Sequence, residues 1–412
     1  MRILHTADWH IGHRLYERDR KDEHDQFLKW LLGTIQENSV DVLLVAGDIF
    51  DTALPSAEAT DLYYQFLFRL FSETAAHAVI TAGNHDAPVR LAAPRQFLKM
   101  GRIHVVGGID GVDECILTLN NGTSSVAIAA IPYLSENEIL HHVSLEKQIE
   151  KTERFRTAIK HLYHRCVDRM PAGVPKILMG HLVVHGGEES GSERTIRIGG
   201  ATAVRSSDLP EGVDYVALGH LHRPQAITGA NYPIQYAGSP LPMTFKEAEY
   251  EKKVYLLDLE KSGAERLTEI TIPVFKELCH VKGNYEQVMF DAMAAYREWK
   301  GKYIEVQLRL DAPQIGLGDK IRQAFSDRGG DVLLVEVQLA EGQREGDVSA
   351  EDISTKSPEE IFAEFYRTEH GVDAPDEVMG TFRDLMVLVL APTDSAGNEG
   401  IGGMSQISER RC

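Results

Sequence analysis

Five short stretches carry the side chains that could do chemistry: Asp8-Trp9-His10, Gly47-Asp48, Gly83-Asn84-His85-Asp86, Gly180-His181 and Gly219-His220-Leu221-His222. Their donors are nitrogen and oxygen atoms of His, Asp and Asn, a set that suits Mn, Fe, Zn or Mg better than a thiolate-preferring ion. In Asp-x-His and His-x-His, alternate residues of an extended segment point the same way, so both can reach one ion. A carboxylate such as Asp48 can bridge two. Two divalent ions about 3.5 to 4 Å apart activate a water and stabilise the attacking and leaving oxygens of an in-line phosphoryl displacement. One histidine after a glycine is ordinarily a hydrogen-bonded loop residue, but five such pieces in order are not explained by loop composition.

Each piece follows an apolar run, and that is how the chain must position it. Residues 2–7, 41–46, 78–82, 176–179 and 215–218 read as buried strands. Between the first three, Phe27, Leu28, Leu31, Leu32 and Ile35, then Leu62, Phe66, Leu67, Leu70 and Phe71, recur at helical spacing and predict helices over about 21–37 and 56–73. Strand, helix, strand, helix, strand with short links builds a parallel sheet by right-handed crossovers, and such sheets bind ligands at the carboxyl ends of their strands. Shorter strands are expected over 103–106, 115–119 and 126–130, and a long polar helix over 145–169. Segments 233–237 and 253–259 read as antiparallel strands closing a second sheet.

The pattern changes after Pro273. The expected organisation is a first domain over 1–273, a small α+β cap over 274–340 without metal-type residues at its strand ends, and a polar linker over 341–356. Helices are expected over 357–391, opened by Ser357-Pro358-Glu359-Glu360 and striped by Ile361, Phe362, Phe365 and Tyr366. The Gly- and Ser-rich end, 392–412, reads as a disordered tail.

With 412 residues and 43% hydrophobic content, the chain can bury the cores of two or three domains. No apolar run approaches the roughly 18 residues that span a bilayer, and the first residues pass directly into a strand pattern, so a cytoplasmic protein is expected. Cys115, Cys166, Cys279 and Cys412 are scattered without metal-binding spacing, as reduced thiols are. A net charge of -19 excludes a protein that holds nucleic acid by its overall field. Divalent cations in an acidic cleft reverse that charge locally.

The five motifs resemble those of calcineurin-like metallophosphoesterases. Within that superfamily, His5-Thr6-Ala7-Asp8-Trp9-His10-Ile11-Gly12, Ala46-Gly47-Asp48-Ile49-Phe50-Asp51 and Tyr236-Ala237-Gly238-Ser239-Pro240 resemble the SbcD family of nuclease subunits of bacterial SbcCD complexes. The resemblance extends over about 1–390. It implies a four-layer α/β/β/α sandwich, a DNA-facing cap, C-terminal helices that bind an SbcC-like ATPase with a coiled coil, and a homodimer within a heterotetramer. The activity implied is that of a Mn-dependent nuclease, a 3'-5' exonuclease on double-stranded DNA and an endonuclease on hairpins or single strands. Carried over, Asp8, His10 and His222 would hold one ion and Asn84, His181 and His220 the other, with Asp48 bridging. His85 and Asp86 would be the catalytic pair, His85 by contact with the scissile phosphate and Asp86 by orienting His85 or its loop. Some relatives have a histidine three residues after the bridging aspartate, where this chain has Asp51. Its charge would repel the substrate phosphate, so it is expected to turn to a partner behind the ligands.

Phosphate contacts are expected from Arg14, Arg18, Arg20, Arg90 and Arg95, and from Arg194, Arg197 and Arg205 in a Gly-, Ser- and Arg-rich loop. Two other readings share the ligand set. A small-molecule or cyclic-nucleotide phosphodiesterase would have little use for helices over 357–390. An interaction scaffold that has lost activity would be marked by missing ligands, and none is missing.

Overall fold

Alternation along the strand Val42–Ala46 decides the architecture. All five residues are buried, but Leu43 and Val45 enter one core while Val42, Leu44 and Ala46 enter another. A strand apolar on both faces must be covered on both. In this computed structural model one face is covered by helices Lys21–Glu37 and Ala57–Glu73, through Phe27, Leu31, Leu62 and Phe66. Ser56 starts the second of these, its hydroxyl accepting the Ala59 N–H. The other face meets a second sheet through Ile128, Ala130, Ile177, Met179 and Ala217. Helix Lys151–Arg169 covers the far side of that sheet, packing Phe155, Ile159 and Leu162 on Ala127, Leu178 and Val216. The layers are therefore α/β/β/α.

The first sheet is ordered Leu267–Thr271, Lys253–Asp258, Arg2–Thr6, Val42–Ala46, His77–Thr81, Ile103–Val106, the last four parallel. The second is ordered Gln225–Ile227, Ile234–Tyr236, Tyr215–Gly219, Lys176–His181, Ser125–Ala130, Ile116–Asn120, with its middle four parallel. The two segments expected to close one sheet together part company. Ile234–Tyr236 lies parallel to Tyr215–Gly219, whereas Lys253–Asp258 runs antiparallel to Arg2–Thr6. Val254 faces the helix-covered core while Tyr255 and Leu257 face the inter-sheet core, a two-sided burial that the first sheet supplies. The helix expected over 145–169 is described over Lys151–Arg169, and Glu136–His142 is helical as well.

Leu278–Gly283, Tyr303–Leu310 and Asp331–Leu339 form a parallel three-stranded sheet with helices Tyr285–Met293 and Leu317–Ser326 between its strands. Asn284 and Gln287 cap the first helix reciprocally. This unit has its own core, including Val288, Ile304, Val306, Ile321 and Phe325. A small cluster of Leu15, Phe245, Tyr303 and Leu333 joins it to the sandwich, together with the Arg18–Asp331 ion pair at 2.9 Å.

The structure describes residues 1–142, 151–194, 203–294, 297–311, 314, 316–339, 359–360, 362–363, 366–367, 372–375, 378–380 and 382. Contacts divide the chain into Met1–Ala340 and Glu341–Cys412. In the second unit, Phe362 stacks on Phe382 with ring centroids 4.2 Å apart. The expected linker, Ile361, Phe365 and the expected tail lie outside the described residues. No helix among the described residues is long and apolar enough to cross a membrane.

Candidate metal centre

The strand ends of both sheets turn sharply where they meet. Asp8, His10, Asp48 and His220 all have positive φ, at 52°, 44°, 51° and 100°. Such residues cost of order 1–3 kcal/mol each and persist where the surroundings over-determine them, typically at functional sites. Two glycines make the approach possible. A Cβ on Gly83 would lie 2.1 Å from Asp48 Oδ1, and one on Gly47 would lie 2.3 Å from His181 Nδ1. A side chain at either place would displace a donor.

The seven expected ligands converge. His10 Nε2 faces His222 Nε2 at 3.2 Å, and Asp8, His10 and His222 each place one donor atom within 4.8 Å of the others. On the other side Asn84 Oδ1 lies 2.9 Å from His181 Nε2 and 3.1 Å from His220 Nδ1. Asp48 Oδ2 stands between, 3.6 Å from His10 Nε2 and 3.3 Å from His181 Nε2.

The donor set fits divalent cations, and two local contradictions show it. His181 Nδ1 donates to the Ala46 carbonyl at 2.9 Å, so in a neutral ring Nε2 is a lone pair facing the Asn84 oxygen. Two acceptors that close call for positive charge between them, a ring proton or a bound ion. Likewise Asp8 Oδ2 is buried without a hydrogen-bond partner, although Asp8 Oδ1 accepts the His220 N–H. Asp8, Asp48 and His181 are essentially inaccessible, and among the described residues no Lys or Arg pairs with either carboxylate. Burial pushes Asp8 up to about 7 against the opposing pull of His181 and His222. Burial would also raise Asp48, but His181, then His10 and His85, outweigh it and hold its carboxyl well below the usual range. For His181 burial would lower the ring, yet Asp48 beside it drives it up to about 9. The cluster demands positive charge, which bound ions would supply.

His85 sits at the edge of this cluster, 8% exposed. Its N–H donates to Asp48 Oδ1 at 2.8 Å and its Nδ1–H to the Asp51 carbonyl at 2.7 Å, which leaves Nε2 free, 4.0 Å from Asp48 Oδ2. Asp86 is placed differently. Its two oxygens accept the N–H groups of Gly83, Ile49 and Phe50, so it ties two ligand-bearing loops together and is a positioning residue rather than a group that touches reacting atoms. Asp51 turns toward His10, its Oδ1 3.6 Å from Nδ1, and forms a third compact trio with His10 and His85.

The arginines divide. Arg14, Arg18, Arg90, Arg95, Arg194 and Arg205 are exposed, although Arg18 is engaged with Asp331. Arg197 lies outside the described residues. Arg20 is corrected: it is 2% exposed, paired with Glu23 and bonded to the Pro242 carbonyl, so it cannot meet DNA. The polar support behind His222, formed by Ser192, Glu193, Glu247 and Lys252, was missed by sequence reasoning. Ser239-Pro240 was its one visible sign, since Ser239 Oγ accepts from Lys252 at 2.9 Å.

The pattern of the calcineurin-like phosphoesterase family matches residues 1–224, and that of the type 5 capsule protein repressor C-terminal domain matches residues 274–370. The SbcD subunit of nuclease SbcCD from Escherichia coli (strain K12) is 32% identical over 376 residues, covering 88% of this chain and 92% of the relative. Its counterpart from Bacillus subtilis (strain 168) is 32% identical over 383 residues, covering 92% and 96%. Among solved structures, a dimetal phosphatase from Danio rerio matches at 13% identity with a TM-score of 0.38, over 66% of this chain and 99% of that one, a likeness too low to carry weight. The chain thus belongs to the calcineurin-like phosphoesterase family and, within it, to the SbcD family of nuclease subunits.

Proposed function

We propose that this phosphodiesterase is a two-metal DNA nuclease that uses Mn and works with an SbcC-like ATPase subunit. The observation that carries the reading is the place of Asp48, one buried carboxylate within 3.6 Å of a donor on each side. Asp8, His10 and His222 would hold one ion, Asn84, His181 and His220 the other, with Asp48 shared. Bound there, two divalent ions activate a water and neutralise charge on the attacking and leaving oxygens. The chain's own residues do the rest. Fixed loops hold the donors in place before substrate arrives, so little reorganisation is needed at the moment of reaction. His85, its Nδ1 proton committed to Asp51, presents Nε2 to the scissile phosphate and assists the leaving oxygen.

The proposal extends to 3'-5' exonuclease action on duplex DNA and endonuclease action on hairpins or single strands. Exposed Arg14, Arg90, Arg95, Arg194 and Arg205 supply phosphate contacts, and the unit over 274–340 caps the DNA. The segment over 357–391 binds the ATPase, a partnership supported by relatives named as subunits of a complex. On the same reading, two copies of this chain form a homodimer within a heterotetramer with the ATPase.

Purified chain with Mn is expected to degrade DNA, and Asn84→Ala and His85→Gln to lose that activity. Cleavage that neither substitution changes would sink the reading. Faster turnover of a nucleotide ester than of DNA would instead favour the small-molecule phosphodiesterase. Removal of 341–412 is expected to abolish assembly with the ATPase while sparing Mn-dependent cleavage.

A further inference from the structure

We infer that Glu247, acting through the hydroxyl of Ser192, is the positioning group that fixes the ring of His222 for metal binding. The inference rests on the two-metal reading of the site but concerns residues outside its ligand set. Glu247 is fully buried, 55 residues along the chain from Ser192, and its oxygens are wholly engaged. Oε2 accepts from Lys252 Nζ at 2.6 Å and from the Met243 N–H at 3.1 Å, so the carboxylate stays ionised and can only accept. Oε1 accepts from the Ser190 hydroxyl at 3.0 Å and, in closer contact, from Ser192.

A serine hydroxyl has one proton. Because Ser192 gives its proton to Glu247, its oxygen must accept at 2.6 Å from His222 Nδ1–H. That assignment leaves Nε2 of His222 as the lone pair, on the side that faces His10 Nε2 and the Asp8 carboxylate. The backbone is clipped as well: Glu193 Oε1 accepts the His222 N–H at 3.0 Å, and Lys252 Nζ donates to the His222 carbonyl at 3.1 Å. Carboxylate support behind a ligating imidazole fixes its tautomer and raises its basicity. Here one hydroxyl is interposed, and it comes from the segment over 190–193.

Isothermal titration of Mn into the full chain, without DNA, tests the assignment. Two ions should bind the parent. Ser192→Ala is expected to weaken one of the two about 10- to 100-fold and leave the other unchanged. Ser192→Thr keeps the hydroxyl and should retain parental affinity. Glu247→Gln should weaken the same ion as Ser192→Ala, and if burying an unpaired Lys252 unfolds it, the two Ser192 variants still decide. A parent that binds two ions with alanine and threonine variants that bind alike overturns this inference alone. Equal weakening of both ions by Ser192→Ala also overturns it. A parent that binds no ion overturns the two-metal reading as well.

Discussion

The backbone carbonyl of Asp51 accepts the Nδ1 proton of His85 at 2.7 Å, and this bond decides which nitrogen His85 can offer a substrate. Loss of the ring should therefore cost chemistry and not metal. His85→Gln is expected to lower kcat about 10²- to 10⁴-fold, the usual range for a positioned acid or base. Mn stoichiometry by calorimetry should stay at the parental value. Loss of an ion on this substitution would make His85 a permanent ligand instead.

The Asp51 side chain acts on a different histidine. Its carboxylate lies 3.6 Å from His10 Nδ1, and burial notwithstanding, His10 and His13 hold it below the usual carboxylate range. Asp51→Ala keeps the carbonyl that orients His85 and removes only the support behind His10. The expected result is weaker Mn binding with kcat at saturating Mn little changed. A kcat that falls as far as in His85→Gln, with Mn affinity intact, would contradict this division of labour.

Asp86 holds the loops. Replacing it with alanine orphans the N–H groups of Gly83, Ile49 and Phe50 in a buried setting. Each unsatisfied buried amide costs roughly 1–3 kcal/mol, so Asp86→Ala should lower the urea midpoint clearly. Urea denaturation unchanged from the parent would show that these amides find other partners.

Arg20 and Arg194 should behave oppositely. Arg20→Ala leaves Glu23, 4% exposed, without its partner and is expected to destabilise the fold by about 3–5 kcal/mol, as breaking a buried pair does. Arg194→Ala should leave stability alone, weaken DNA binding across sequences and reduce the slope of log affinity against log salt by about 1. A folded Arg20→Ala chain with selectively reduced DNA affinity would place Arg20 on the DNA after all.

What the sequence made legible follows from how local each signal is. Strands buried on both faces read directly from their apolar runs, and the left-handed turns after them already held Asp and His. Partner choice was not local: nothing in 253–259 says that Lys253–Asp258 pairs with a strand some 250 residues earlier, at Arg2–Thr6. Charge also misled, because Arg20 looks like any loop arginine until Glu23 and the Pro242 carbonyl enclose it. The support behind His222 was invisible for a related reason. Ser192 lies 55 residues before Glu247, and a buried Lys–Glu pair at a spacing of five leaves no periodic trace.

A pair of histidines far from these motifs predicts the acid limit of the fold. His77 and His104 stack with centroids 5.7 Å apart and planes at 19°. Burial, then the charges of His77 and Lys99, lowers His104 to about 4, and burial, then Arg102, lowers His77. The folded chain therefore favours the neutral rings, while the unfolded chain takes up protons near pH 6.5. Where the unfolded state binds more protons, stability rises with pH. The contribution is thus complete above about pH 6.5 and is lost as pH falls toward about 4. Urea midpoints taken from pH 7 down to pH 4 should fall, and His104→Gln should fall less steeply over the same window. Identical slopes for the two proteins would assign the acid sensitivity to other buried histidines, His24 first among them, since burial also drives it to about 3.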